Sequence, residues 1–195
     1  MNYKKYQQTR DKAWQILIDY NIKELPISVS ALCEEMGIKV RLYEPKNGND
    51  GCCGIRFGKP RIFASKNCSS ERRRFTIAHE LGHILLGHVG KYELVNREPS
   101  GADNPIEQEA NVFASRLLAP ACVLWGCGVK TAEDIQRLCG ISRQAAEYRM
   151  ARMELLYERN KFLTSPLERR VYAQFEEYIE KNTIIPSGSP MHLLR

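Results

Sequence analysis

Long apolar segments are absent from this 195-residue sequence, which contains no run of 18 apolar residues. A membrane-spanning helix needs about that many. The N-terminal segment MNYKKYQQ also lacks the apolar stretch of a signal peptide. Neither a membrane nor a secretory pathway is therefore expected as the destination, and we predict a cytoplasmic protein.

Paired cysteines are missing as well. The chain has 7 Cys, an odd number, and none of them forms a Cys-x-x-Cys motif. Cys52 and Cys53 are adjacent, so on a strand their side chains would point to opposite faces. We therefore expect reduced thiols, as is usual in the cytosol. A second metal site on Cys122 and Cys127 is an alternative to thiols that simply pack as small apolar side chains.

Histidine is scarce, yet two of the 4 His fall within residues 74–83, which read RFTIAHELGH. Apolar residues dominate this stretch and its flanks, which predicts a buried helix. His79 and His83 are four residues apart, so on a helix both imidazoles can reach one metal ion. Glu80 is offset by one position, which suits a general base better than a ligand. The pattern predicts a zinc hydrolase; two unrelated histidines on a structural helix are the alternative.

A catalytic zinc site needs three protein ligands, so a third must come from elsewhere in the chain. His88 has the wrong spacing for the extended three-histidine motif. A second helix is predicted to begin at Asn104, and Glu107 shares its apolar face whereas Glu109 lies further round. We predict Glu107 as the third ligand and expect replacement of Glu109 to leave metal binding unchanged. Asn111, one turn later, could orient a ligand histidine. The alternative is that Glu107 completes a capping box with Asn104.

The remaining pattern predicts an α+β fold. Apolar residues at helical spacing indicate a first helix within residues 5–20. Alternating apolar and polar residues predict strands at 38–43, 52–57 and 61–64, of which the last two form a hairpin. We expect a small, about three-stranded antiparallel sheet packed on helices, in a catalytic core that spans residues 1–128.

Residues 129–195 are predicted to form a helical region of their own. Within it, residues 131–160 resemble a helix-turn-helix pair, and residues 165–195 an amphipathic helix followed by a mobile tail. The formal net charge of the whole chain is +6, but residues 131–160 hold 5 Arg and 5 acidic side chains. Because phosphate neutralisation supplies most of the affinity for DNA, we do not expect this neutral segment to bind DNA directly.

Two separated stretches, RRFTIAHELGH and EQEANVFASRLLAP, resemble the ImmA/IrrE family of metallo-endopeptidases. The resemblance covers roughly residues 10–120. It implies a compact zincin-like core in which His79 and His83 bind zinc, Glu80 is the catalytic base and Glu107 is the third ligand. It also implies a bacterial or mobile-element protein that cleaves a helix-turn-helix repressor and so releases the genes that the repressor had silenced.

A peptide substrate is also favoured by the predicted sheet, since an edge strand beside the metal helix can pair with an extended chain. Backbone pairing reads little sequence, so specificity calls for a second surface. We predict that Arg143, Tyr148 and Arg149 form an exposed ridge that docks the repressor. Tyr92 and His88 are candidate donors to the oxyanion. The alternatives are a non-proteolytic antirepressor with a structural zinc and a DNA-binding regulator.

Overall fold

The fold is α+β, as predicted. A computed structural model of the chain describes residues 2–45, 50–89 and 104–184. In chain order the elements are α1 (Tyr3–Asp19), α2 (Val29–Glu35), β1 (Lys39–Tyr43), β2 (Gly51–Arg56), β3 (Lys59–Ser65), α3 (Ser70–Leu85), α4 (Pro105–Leu118), α5 (Ala121–Gly126), α6 (Ala132–Cys139), α7 (Arg143–Glu158), α8 (Pro166–Gln174) and α9 (Glu176–Asn182).

The strands form one mixed sheet in the order β1-β3-β2. β2 and β3 pair antiparallel as the predicted hairpin. β1 pairs parallel with β3, with Val40 opposite Ile62, which corrects the expectation of an antiparallel sheet for this strand. β3 is the most deeply buried strand, with Ile62 and Ala64 fully buried. β3 therefore takes the centre, between two strands that precede it in the chain, and β2 becomes an edge strand that packs against α3.

Polar side chains start the helices that frame the site. Ser69 accepts a hydrogen bond from the backbone N–H of Arg72 and so begins α3. Asn104 accepts one from Ile106 N–H, and Pro105 occupies the first turn of α4, where its missing N–H has no consequence. A capping box of Thr131 and Asp134 begins α6. Ser, Asn and Thr are residues that favour this position.

The hydrophobic core is continuous from α1 to α9. Trp14 of α1, Phe113 of α4 and Phe175 beside α8 belong to one cluster of buried side chains. Described residues on both sides of the predicted boundary after residue 128 contribute to this cluster, and that boundary itself stays a prediction. The predicted C-terminal amphipathic helix is present as α8 and α9, which meet at Phe175. The predicted mobile tail lies outside the described residues.

Cys33, Cys68, Cys122, Cys127 and Cys139 are free thiols. Burial raises the pKa of the Cys122 thiol to about 12 and that of Cys127 to about 11. Both thiols therefore stay protonated at neutral pH, which favours the packing interpretation over a second metal site. Among the described residues, no helix has the length and apolarity needed to cross a membrane.

Candidate metal centre

Two neighbouring helices bring three ligand-type side chains together. His79 and His83 lie one turn apart on α3, and Glu107 lies in the first turn of α4, which packs against α3. One ligand atom from each of the three lies within 4.8 Å of the others. The Glu107 carboxylate thus faces the two imidazoles, although its neighbour Asn104 does cap the helix as the alternative interpretation required.

The spacing of these atoms fits a small metal ion. His79 Nε2 lies 3.0 Å from His83 Nε2, and Glu107 oxygens lie 3.1 Å from His79 Nε2 and 3.6 Å from His83 Nε2. Ligands bound tetrahedrally at the usual zinc–nitrogen distance are separated by roughly 3.3 Å. The three donors therefore already stand at the separations that zinc requires. Two imidazoles and one carboxylate also match the ligand set of catalytic rather than structural zinc sites.

Asn111 fixes the orientation of the first imidazole. Its Oδ1 lies 2.9 Å from His79 Nδ1. Because an amide oxygen can only accept, Nδ1 of His79 carries the proton and Nε2 keeps its lone pair for a metal. The structure thus places Asn111 where the sequence predicted it, one turn of α4 beyond Glu107.

A longer chain of contacts orients the second imidazole. His83 Nδ1 lies 3.0 Å from His88 Nδ1, and His88 Nε2 lies 3.2 Å from an oxygen of Glu109. Lys5 of α1 in turn contacts that same oxygen at 3.1 Å. If His83 Nε2 is a ligand, its Nδ1 donates to His88 and His88 donates to the Glu109 carboxylate. The sequence did not predict this role: it raised the question of His88 as a ligand or an oxyanion donor and of Glu109 as a ligand, and their spacing from His83 and Glu107 gave no signal for the contacts seen.

Glu80 lies in the interior beside the ligands. Its side chain is buried, on the side of α3 that faces β2. A methyl group added at Gly51 of β2 would lie 2.4 Å from Thr76 Cγ2 and 3.7 Å from Glu80 Cγ. The absence of a side chain at Gly51 therefore allows β2 to approach α3 at Glu80. The sequence offered no signal for this contact.

Tyr43 brings a protonated phenol into the same electrostatic environment. Burial raises its pKa, and the nearby Cys52, Glu80 and Asp50 raise it further. The phenol is therefore neutral at physiological pH and close enough to Glu80 to feel its charge. Of the two oxyanion donors suggested by the sequence, His88 instead contacts His83 and Glu109, and Tyr92 lies outside the described residues.

Close packing of α3 on α4 fixes the distance between the two histidines of α3 and Glu107 of α4. A methyl group added at Gly82 would meet Phe113 of α4 at 3.0 to 3.2 Å. Gly82 lies between the two ligand histidines, and Phe113 is fully buried. The small residue in the HELGH sequence thus determines how near Glu107 can come to the imidazoles.

The helix-turn-helix-like pair, α6 and α7, lies beside this centre. Arg74 of α3 donates to the backbone carbonyl of Gly140, in the turn between α6 and α7. A groove of about 790 Å³ extends from Asn111 and Thr76, next to the centre, to Arg143 and Tyr148 on α7. The predicted docking residues Arg143 and Tyr148 therefore line the same groove as residues that adjoin the ligands.

Arg149 does not belong to this ridge. Only 2% of its surface is exposed, whereas Tyr148 is 75% exposed. Its Nε donates to the carbonyl of Ala119 at the end of α4, at 2.8 Å. The expectation that Arg149 is exposed for docking is wrong, because the period of α7 turns this position inward, onto α4.

Comparison with known families places most of the chain in one peptidase family. Residues 33–151 match the peptidase family described as the IrrE N-terminal-like domain, and this match spans more than half of the chain. The chain belongs to the IrrE N-terminal-like peptidase family. In this IrrE-like peptidase the matched region includes all three ligand-type residues and continues into α7. A comparison with individually curated proteins gave no significant match.

Proposed function

We propose that this IrrE-like protein is a zinc-dependent endopeptidase that cleaves a helix-turn-helix transcriptional repressor and so derepresses genes of a phage, a mobile element or a stress response. The observation that carries the proposal is the convergence of His79, His83 and Glu107 within 4.8 Å, beside a buried Glu80. Membership of a peptidase family supports the reaction class, and the repressor follows from the resemblance to ImmA/IrrE proteins.

His79, His83 and Glu107 would hold the zinc ion. A zinc ion held there would supply Lewis-acid chemistry, which polarises a carbonyl and lowers the pKa of water. Glu80 accepts a proton from the attacking water and passes it to the leaving amine as the peptide bond breaks. Asn111 and His88 keep both imidazoles in the tautomer whose Nε2 lone pair faces the ion.

The groove between the centre and α7 is the proposed substrate site. Its volume of about 790 Å³ suits several residues of a peptide. Tyr148 offers an exposed aromatic side chain there, and Arg143 is held by Glu133 at 4.0 Å and by Glu147 at 2.9 Å. Aromatic and arginine side chains are common anchors of protein recognition. The suggestion that the substrate also pairs with edge strand β2 stays a prediction.

Direct DNA binding is not part of the proposal. Arg149 is buried, and its Nε donates to the carbonyl of Ala119. One of the cations that a reading helix would need is therefore already used within the protein, which supports the expectation drawn from the charge count.

The test is to combine the purified zinc-loaded protein with the repressor encoded beside its gene and to weigh both chains by mass spectrometry. We expect one cut in the repressor. Glu80→Gln should retain zinc and the fold but lower the cleavage rate at least about 100-fold, because a general base contributes that much. Glu154→Gln, an exposed carboxylate of α7, is the matched control and should cleave normally.

The Glu80→Gln variant also separates an enzyme from a binder when repression is measured in cells. If Glu80→Gln relieves repression in cells as well as the wild type does, the protein acts as a non-proteolytic antirepressor. Joint replacement of Arg143 and Tyr148 by Ala should raise the KM for the intact repressor and leave cleavage of a short peptide that spans the cut site nearly unchanged. An equal loss on both substrates would show that the two side chains only support the core.

A further inference from the structure

A second polar pocket lies away from the metal centre, where α1, α4 and α7 meet. It is small, about 180 Å³, and part of its wall is formed by Tyr6, Leu156 and Thr164. Cations dominate the remaining wall. They are Arg10, Arg116, Arg149, Arg152, Arg159 and Lys161.

Arg149 is the deepest of these cations. Its Nε donates to the Ala119 carbonyl, but its Nη2 is buried and has no hydrogen-bond acceptor among the described residues. Nε of Arg152 is likewise buried without an acceptor in the part of the chain that the structure describes. A guanidinium buried without an acceptor is costly, since the charge loses its hydration and gains nothing in return.

Neighbouring groups do not balance this charge. Glu168 is the one carboxylate in the pocket wall as described, and its Oε2 already accepts from the N–H and hydroxyl of Thr164. Arg10 is paired with Asp11 at its outer end. Arg116 donates to the Tyr6 hydroxyl at 3.0 Å, and this neutral partner brings no negative charge.

The pKa of the Tyr6 hydroxyl indicates the resulting positive potential. Burial by itself raises the pKa of Tyr6, but the charge and hydrogen bond of Arg116, together with the charges of Arg149 and Arg152, outweigh it and lower the pKa. Burial and the charge of Arg116 also lower the pKa of Arg149 well below its usual value. Both shifts have the sign expected where an anion would be stabilised.

We infer that this pocket binds a small oxyanion, namely inorganic phosphate or the phosphoryl group of a small ligand. Planar guanidinium groups form paired hydrogen bonds with such anions, and Arg116, Arg149, Arg152 and Arg159 all line this pocket. The volume is below the roughly 300 Å³ at which drug-sized ligand pockets begin. The pocket therefore suits the anion itself rather than a whole nucleotide. A bound anion would join α1, α4 and α7 at one point.

Titration calorimetry of inorganic phosphate into the full zinc-loaded chain, at constant ionic strength in chloride buffer, tests the site. We expect saturable binding of one phosphate per chain and a rise in Tm that chloride does not produce. Arg152→Gln should weaken binding at least about tenfold, because it removes a charge-assisted hydrogen bond. Arg170→Gln, an exposed cation of α8 outside the pocket, is the matched control and should bind normally.

Circular dichroism will show whether Arg152→Gln is folded. If it is not, Arg159→Gln at the exposed rim replaces it, with a severalfold weakening expected. The proposal is overturned if phosphate and chloride shift Tm equally or if Arg170→Gln weakens binding as much as the pocket variant does. It is also overturned if binding survives the pocket change but disappears when zinc is removed, since phosphate would then sit at the metal.

Discussion

Replacement of Glu109 measures how much the outer contacts of His83 contribute to metal binding. Glu109 is 8% exposed and is no ligand in the predicted set, yet it receives the His88 contact that continues to His83. Glu109→Gln keeps an acceptor oxygen and removes the charge. Charged hydrogen bonds contribute about 1.5 to 3 kcal/mol and neutral ones about half as much. The loss is therefore about 1 kcal/mol, or about fivefold in zinc affinity.

Glu109→Ala removes the acceptor altogether. His88 then has no carboxylate to hold its ring, and we expect zinc affinity to fall by about 10- to 100-fold, the usual cost of losing an outer partner of a metal ligand. The sequence had led us to expect that replacing Glu109 leaves metal binding unchanged, and the contact with His88 changes that expectation. Glu107→Gln, which weakens a ligand itself, should be worse than either change.

Competition with a chromophoric chelator gives the zinc dissociation constant of each variant, and Glu154→Gln controls for loss of an exposed carboxylate. The expected order of affinity is wild type, Glu109→Gln, Glu109→Ala, Glu107→Gln. Wild-type affinity in both Glu109 variants would show that the contact with His88 only packs the loop after α3. A loss as large as that of Glu107→Gln would make Glu109 a ligand and refute the assignment.

Two further predictions concern stability. Gly51→Ala should lower the free energy of unfolding by about 1 to 3 kcal/mol, because the added methyl group would lie 2.4 Å from Thr76 Cγ2 and 2.8 Å from the Phe63 carbonyl oxygen. Thermal denaturation measures the loss, and a Gly51→Ala variant as stable as the wild type would contradict both contacts. Burial raises the pKa of Asp134, but hydrogen bonds from the N–H groups of Lys130 and Thr131 outweigh it and lower the pKa. The lowered pKa of Asp134 stabilises the fold above the unfolded pKa, and this stabilisation is lost as pH falls through the folded pKa. Asp134→Asn should therefore make stability less dependent on acid pH, though only modestly, because solvent screens this partly exposed carboxylate. An unchanged pH profile of Tm would refute it.

Local chemistry explains why the sequence could predict two histidines on one helix face and the start of α4. His79 and His83 are related by the helical period alone, and Asn104 caps its helix through a bond within a few residues. Contacts between distant segments were not predictable in this way. The place of β3 between β1 and β2 depends on which strand is most deeply buried.

The same limit applies to Arg149, and to the three consecutive arginines that precede the metal helix. A run such as Arg72, Arg73 and Arg74 is typical of a solvated surface. In the structure Arg72 binds Asp50 at 2.8 Å, Arg73 binds the carbonyl of Ser65 at 3.1 Å, and Arg74 binds the turn of the helix-turn-helix-like pair. These three partners lie from 8 to 66 residues away, which composition cannot reveal.

The contact of Lys5 with Glu109 has a practical consequence for anyone who purifies this protein. Lys5 lies in the first turn of α1, and only Glu109 and His88 separate it from the ligand His83. A polyhistidine tag fused to the N-terminus would therefore begin close to the metal ligands and bring competing imidazoles with it. Zinc stoichiometry should be measured on protein from which such a tag has been cut away, or that was tagged at the other end.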